Sequence, residues 1–129
     1  MLSLVAALSG LYDIVAGAFL LLAPDSFASL FGVAPATPGI FSELNGLFLL
    51  AIGLGYYFPW RDPYQYRGYM WIMGPFLKGA GALAFVVDYF FSAAPSSFLL
   101  FAASDGALAL LTLWALLSDK LPPAEAHWR

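Results

Sequence analysis

Four polar residues interrupt the long apolar stretches of this sequence: Asp13, Asn45, Lys78 and Asp105. Lys78 lies where a helix that crosses a bilayer would reach its centre, and a lone cation is costly there. We therefore expect the helices to close around Lys78 and to supply acids to it. At a rise of about 1.5 Å per residue, the depths of the four residues agree to roughly 10 Å. This spacing predicts one polar layer near the middle of a helical bundle.

The charges in this layer do not balance if all are ionised, because one lysine faces two aspartates. Either one acid keeps its proton, or a cation or a further donor joins the site. Two interpretations stay open. In the first, Lys78 pairs with an aspartate and Asn45 forms hydrogen bonds across helices, which fixes the packing of the bundle. In the second, the layer binds a proton or a small molecule, since ionisable residues inside membranes often mark functional sites.

Two further acids are secondary candidates for this site. Glu43 lies near the start of the second apolar stretch and away from Asn45 around the helix, which favours a position at the membrane surface. Asp88 shares a helical stripe with Lys78 but lies nearer the outer end of the third stretch. We expect both acids at the margin of the polar layer.

The composition is that of an integral membrane protein. Hydrophobic residues make up 62% of the 129 residues, charged residues 10%, and the mean hydropathy is +0.83. One domain fits this length, and a large soluble catalytic domain is excluded. The five Lys+Arg and the net charge of -3 argue against nucleic acid as a partner.

The scarcity of metal ligands restricts the chemistry. The sequence has no cysteine, and its one histidine, His127, lies in the polar C-terminal segment. A bis-histidine haem site, an iron–sulfur cluster, a thiol relay and a structural zinc site therefore lack ligands. We expect no cofactor and no metal site, although carboxylates remain possible ligands for a hard cation.

The lengths and periodicity of the apolar stretches predict an all-α membrane protein, a four-transmembrane-helix up-down bundle over residues 1–118. The spans are predicted at about 2–23, 40–58, 68–91 and 97–117. Start and stop signals at Pro24 and Gly32 predict a short interfacial helix at about 25–32, in the first loop. Residues 119–129 are predicted to form a polar cytoplasmic tail. No Lys or Arg precedes the first span and Asp13 interrupts it, so we expect a retained helix rather than a signal peptide.

Small and aromatic residues add detail to these spans. Glycines share a face with Asp13 in the first span and with Asn45 in the second, which predicts close helix packing in lipid. The pair Gly74-Pro75 predicts a kink just before Lys78. Tyr56 opens an aromatic group that is typical of the membrane interface.

The loops predict the orientation. The second loop and the tail contain Arg61, Arg67, Lys120 and Arg129, whereas the first and third loops contain no Lys or Arg. With an even number of spans, these basic segments lie on one side. We therefore expect both termini to be cytoplasmic, in a bacterial inner membrane.

With its length, its cytoplasmic termini and the charged residues within its helices, the chain resembles the small four-helix DoxX-like membrane proteins. The residues that carry this resemblance are Asp13, Asn45, Lys78 and Asp105. Some members of that group are membrane subunits associated with quinone-linked or redox systems, so the resemblance implies an accessory role. The chain is also similar to the small multidrug transporters in span count and in Asp13, but Lys78 and Asp105 depart from their pattern and argue against cation exchange.

These observations favour an accessory or structural subunit of a membrane complex, or a homo-oligomer, over an enzyme. Its partners would be the bilayer and other membrane subunits or a second copy. The alternative is a small proton-coupled transporter or a lipid- or quinone-binding protein that uses the same polar layer. An enzyme acting on a lipid or sterol could draw its acid–base groups from Asp13 and Asp105. An open cavity beside Lys78 would favour transport or catalysis, and direct pairing that seals Lys78 would favour the accessory role.

Overall fold

The computed structural model describes residues 1–120, and these form helices and loops without a strand. Four helices are long and apolar enough to cross a membrane: Leu2–Leu22, Ile40–Arg61, Arg67–Phe91 and Ser96–Ser118. We refer to them as the first, second, third and fourth spans. The prediction of a helical protein is thereby confirmed for these residues, together with four helices that have the length and apolarity to cross a membrane. Most of the predicted tail, residues 121–129, lies outside the described residues.

Three of the spans are composite. The second joins helices Ile40–Gly55 and Tyr57–Arg61, the third joins helix Arg67–Trp71, a π-helical segment Ile72–Lys78 and helix Gly79–Phe91, and the fourth joins a 3₁₀ turn Ser96–Phe98 to helix Leu99–Ser118. The first loop contains a short helix, Pro24–Leu30, that begins at a proline, a residue favoured at the first helical position.

Glycines bring the first and second spans into close contact. Gly10 faces Gly53, and about two turns away Gly17 faces Gly46. A Cβ atom on Gly17 would lie 2.5 Å from the backbone nitrogen of Leu50, so only glycine permits this approach. This contact is what the small-residue faces of the two helices predict.

The third span packs against the fourth, and the fourth packs against the first. Gly74 lies so close to Thr112 that a Cβ atom there would be 2.6 Å from the threonine methyl group. The second and third spans pack mainly against the first and fourth rather than against each other. The second and third spans meet at Tyr69, whose hydroxyl donates to the Ile52 carbonyl and whose ring packs edge-on against Tyr56, and a cleft lies between them beside this contact.

Contacts between loops tie together the ends of the spans. The Tyr64 hydroxyl donates a hydrogen bond to Asp119 at 2.9 Å, and the Arg67 guanidinium donates to the Leu116 carbonyl, so the second loop lies at the end of the fourth span. At the other end, Ser97 donates to the Phe31 carbonyl at 2.6 Å. The first and third loops therefore lie side by side.

Candidate functional site

Lys78 and Asp13 form a close pair between the third and first spans. Lys78 Nζ donates a hydrogen bond to Asp13 Oδ1 at 2.6 Å, and the two side chains are only 5% and 1% exposed. Among residues 1–120 this is the one pair of opposite charges within 4.0 Å. Burying either charge alone costs on the order of several kcal/mol. Each of the two residues therefore requires the other.

The backbone before Lys78 departs from an α-helix. Pro75 has no N–H group, so the hydrogen bond that would return to the carbonyl of residue 71 cannot form. The chain forms a π-helical segment here, Ile72–Lys78, where the sequence predicts a kink. Because a π turn contains more residues than an α turn, it changes the direction in which the following side chains point, and such segments are frequent at functional sites. Lys78 is the last residue of this segment.

Two tyrosine rings flank the Lys78 ammonium group. The ring of Tyr12, from the first span, lies 5.3 Å from Nζ, and the ring of Tyr56, from the second span, lies 6.0 Å away. Both distances are within the range of cation–π attraction. The Tyr12 hydroxyl forms a hydrogen bond of 2.6 Å with Ser104, so Tyr12 also joins the first span to the fourth.

Three buried oxygen atoms lie near the pair: Ser9 Oγ, Asp13 Oδ2 and the Tyr56 hydroxyl. Asp13 Oδ2 has no hydrogen-bond partner among residues 1–120, and the Ser9 and Tyr56 hydroxyls lie within reach of each other. Ser9 lies one helical turn before Asp13, and Tyr56 lies near both of them. The immediate surroundings of the pair are thus rich in polar atoms that can still form hydrogen bonds.

A cavity of about 250 Å³ opens beside this pair, in the cleft between the second and third spans. It is lined by Asp13, Asn45, Phe48, Leu49, Ile52, Leu77, Lys78, Gly81 and Asp105. The structure therefore brings all four predicted polar-layer residues to one cavity. Its walls are apolar and come from the second and third spans, whereas its floor carries the charged groups of the first, third and fourth spans.

Asp105 and Asn45 occupy this cavity differently from the Lys78–Asp13 pair. Asp105 is half-buried and has no cation within 4.0 Å among residues 1–120; Lys78 acts on it only from a longer distance. A Cβ atom on Gly81 would lie 3.9 Å from Asp105 Oδ2, so the absence of a side chain at Gly81 leaves the carboxylate open to the cavity. Asn45 is exposed at the mouth of the cleft. Asp105 thus faces the cavity with the Tyr12 hydroxyl as its neighbour, whereas Asp13 is engaged by Lys78 through one of its two oxygens.

The two secondary candidates are not brought to the cavity. Glu43 and Asp88 are exposed near the ends of the second and third spans, and neither lines the cleft. Among residues 1–120, no three His, Cys, Asp or Glu side chains lie close enough together to hold a metal ion.

Sequence reasoning did not identify the tyrosines of this site. Tyr56 is assigned above to the aromatic belt, but the structure buries it at 1% exposure because Gly10 makes room for its Cβ atom. Tyr12 is adjacent to Asp13 and therefore lies about 100° away from it around the helix, outside the small-residue face. The one sequence feature that pointed to further polar groups beside Asp13 was Ser9, which lies a turn before it on the small-residue face.

Comparison of the chain with protein-family models, with curated proteins and with solved structures finds no match. The resemblance to DoxX-like proteins therefore stays a prediction.

Proposed function

We propose that this chain is an integral membrane protein that binds a small bilayer-soluble molecule with a polar head in the cleft between its second and third spans. The observation that carries this proposal is the cavity of about 250 Å³ with apolar walls and a floor of ionisable side chains. Binding sites for small molecules combine these features, since apolar walls supply affinity and a few polar groups fix the orientation. The polar head would contact the floor, and the apolar part would extend towards the lipid.

The mouth of the cleft supports entry from the bilayer. Phe48 and Leu77, on its two sides, are 60% and 41% exposed, and Asn45 is exposed between them. An amide that faces hydrocarbon without a partner is unfavourable. A ligand that reaches the cleft sideways from the membrane would satisfy this amide and would meet the apolar walls first.

In this proposal the Lys78–Asp13 pair is an intramembrane salt bridge with a positioning role. It connects the third span to the first where helix packing in lipid has no hydrophobic driving force. It also holds one edge of the polar floor in a fixed place, so that Asp105 and Asn45 remain as the groups that contact the ligand.

The topology that goes with this function is an up-down bundle with both termini in the cytoplasm and the short helix Pro24–Leu30 at the opposite interface. The contacts of Tyr64 with Asp119 and of Ser97 with Phe31 support this arrangement, and Arg61, Arg67 and Lys120 all belong to the end that would be cytoplasmic. The chain has no cysteine, so a single introduced thiol can report the side. We expect Ser26→Cys to react with an impermeant reagent in intact cells and Gln65→Cys to react only after permeabilisation; the reverse pattern would contradict the orientation.

A second candidate function is that of an accessory subunit of a membrane complex or a homo-oligomer. Direct pairing of Lys78 with Asp13, at 5% exposure of the lysine, favours this candidate. In that case the exposed cleft would be covered by a helix of a partner subunit or of a second copy instead of a ligand such as a lipid or quinone.

Mild-detergent extraction from the native membrane, followed by native mass spectrometry, separates the two candidates. The matched variants are Gly81→Val, which narrows the cavity beside Asp105, and Ala84→Val, which places the same side chain at an exposed site one turn away. We expect a small molecule or lipid at fixed stoichiometry with the wild-type chain and with Ala84→Val, and its loss with Gly81→Val.

Two outcomes would contradict the proposal. Retention of the same small molecule by Gly81→Val would show that it binds elsewhere. Purification with another protein or a second copy at fixed stoichiometry, and with no small molecule, would favour the accessory or oligomeric role.

A further inference from the structure

We infer that the polar head bound in the cleft is a primary ammonium group, so that the ligand is an amphiphilic amine in its protonated form. This inference rests on the proposed function, because it names the chemical class of molecule that the same cleft would bind.

The first reason is the charge of the cavity floor. The positive charge of Lys78 is matched by Asp13 at 2.6 Å, which leaves the Asp105 carboxylate without a cation within 4.0 Å in the described part of the chain. Arg61, Arg67 and Lys120 belong to the opposite ends of the spans and do not line the cavity. A cationic ligand head would balance Asp105, whereas an anionic head would add to an unmatched negative charge in a medium of low dielectric.

The second reason is the hydrogen-bonding capacity that remains in the floor. Asp13 is 1% exposed, and its Oδ2 atom is buried with no partner among residues 1–120. An ionised carboxylate only accepts hydrogen bonds, and Asp105 adds a second carboxylate to the same cavity. A primary ammonium group supplies three N–H donors for these acceptors.

The donor requirement distinguishes a primary ammonium from other cations. A quaternary ammonium head could balance the charge of Asp105, but it has no N–H group to donate to Asp13 or Asp105. Charge-assisted hydrogen bonds are the strong ones, so the primary amine should be preferred over both a quaternary head and a neutral hydroxyl.

The end of the protein that contains the first and third loops also favours cations. The exposed acids of that end are Asp25, Glu43 and Asp88, and its two loops contain no Lys or Arg. A negative end raises the local concentration of cationic ligands. These acids therefore attract cationic ligands to this end of the protein, although they do not line the cavity.

The test uses the full chain in nanodiscs of zwitterionic lipid and four photoreactive probes. The probes share one alkyl chain and differ only in the head: primary ammonium, trimethylammonium, hydroxyl or sulfonate. Mass spectrometry maps the labelled residues, and labelling that Gly81→Val abolishes but Ala84→Val retains is assigned to the cleft.

We expect the primary ammonium probe to label the cleft of the wild-type chain about tenfold or more above the hydroxyl probe, the factor typical of hydrogen bonds to a charged group. The trimethylammonium and sulfonate probes should label it less than the primary ammonium. In Asp105→Asn the preference for ammonium over hydroxyl should fall by about tenfold, while labelling by the hydroxyl probe persists. The series on the wild-type chain does not depend on the folding of any variant.

The outcomes separate this inference from the function on which it rests. Equal labelling by ammonium and hydroxyl probes, or by primary and trimethylammonium probes, would overturn the head group and leave the proposed binding function standing. Labelling of the cleft by none of the four probes above the level in Gly81→Val would overturn both.

Discussion

The second span has two very different neighbours. On one side it packs against the first span through Gly46 and Gly53, so closely that a Cβ atom on Gly46 would lie 2.5 Å from the backbone of Leu21. On the other side it faces the third span across a cleft whose floor carries Lys78 and Asp105. The first contact leaves no room between the backbones. The second and third spans meet at Tyr69, whose hydroxyl donates to the Ile52 carbonyl, and leave about 250 Å³ between them beside Lys78.

The difference shows two ways of holding helices together where lipid removes the hydrophobic driving force. Small residues permit close backbone contact, and the attraction comes from dispersion between many atoms. The third span is joined to the first by the buried ion pair Lys78–Asp13, and its Met70 packs in the same apolar cluster as Val5. The ion pair joins the ends of two side chains rather than two backbones, so it permits an open cavity beside it, which a glycine contact does not.

The largest expected effect is that of breaking the ion pair. Lys78→Met leaves Asp13 buried without a partner, so the protein should still insert into the membrane but lose about 3 kcal/mol of its free energy of unfolding. Denaturant titration in detergent measures this loss. Asp13→Asn combined with Lys78→Met should recover part of it, and Lys120→Met, at an exposed lysine, is the matched control. Wild-type stability of Lys78→Met would contradict the role of the pair.

The next effect concerns the glycine contact. Gly46→Ala would place a methyl group 2.5 Å from the backbone nitrogen of Leu21, and backbone cannot move aside as a side chain can. We expect a loss of about 2 kcal/mol, as for other overpacked sites. Gly39→Ala is the control, because nothing lies within 4 Å of a Cβ atom there. Equal stability of the two variants would show that the first and second spans are not in close contact.

A smaller effect is expected for the bond between Tyr12 and Ser104. Tyr12→Phe keeps the ring near Lys78 and removes only the hydrogen bond of 2.6 Å, so the loss should be about 1 kcal/mol. A double-mutant cycle with Ser104→Ala measures the coupling, and Tyr57→Phe, at an exposed tyrosine, provides the reference. Additive effects of Tyr12→Phe and Ser104→Ala would mean that the bond contributes nothing.

The smallest effect should occur at the mouth of the cleft. Asn45→Leu should change the free energy of unfolding by less than about 0.5 kcal/mol, because Asn45 is exposed and has no hydrogen-bond partner among residues 1–120 that the substitution would remove. The same denaturant titration measures it. A loss as large as that of Gly46→Ala would mean that the second span is sealed against the third and that the cleft is closed.

Much of the fold could be predicted because its signals are local. The length and apolarity of each stretch predict four membrane-crossing helices, and the structure contains four helices that are long and apolar enough to cross a membrane. The backbone conformation of Ile72–Lys78 was harder to predict. Gly74-Pro75 predicts a disturbed helix but does not distinguish a kink from a π-helical segment. That choice depends on how the third span packs on the fourth, where Gly74 contacts Thr112.

The candidate site was only partly predictable. The four polar-layer residues do line one cavity. The sequence could not distinguish Asp13 from Asp105 as the partner of Lys78, since both lie at similar depth on other helices. It also placed Tyr56 at the interface, because a tyrosine near the end of an apolar stretch has that position in most membrane proteins.

Sequence alone determined the number of spans and the depth of each polar residue, because helix length and a rise of about 1.5 Å per residue are properties of a single helix. Tertiary structure alone decided that Lys78 pairs with Asp13, that Tyr12 and Tyr56 flank it, and that a cleft remains beside Asp105. These features depend on how far each helix is rotated about its axis and on which neighbours it touches. Both are set by packing between residues far apart in the chain, such as Gly17 with Gly46, and no local pattern contains them.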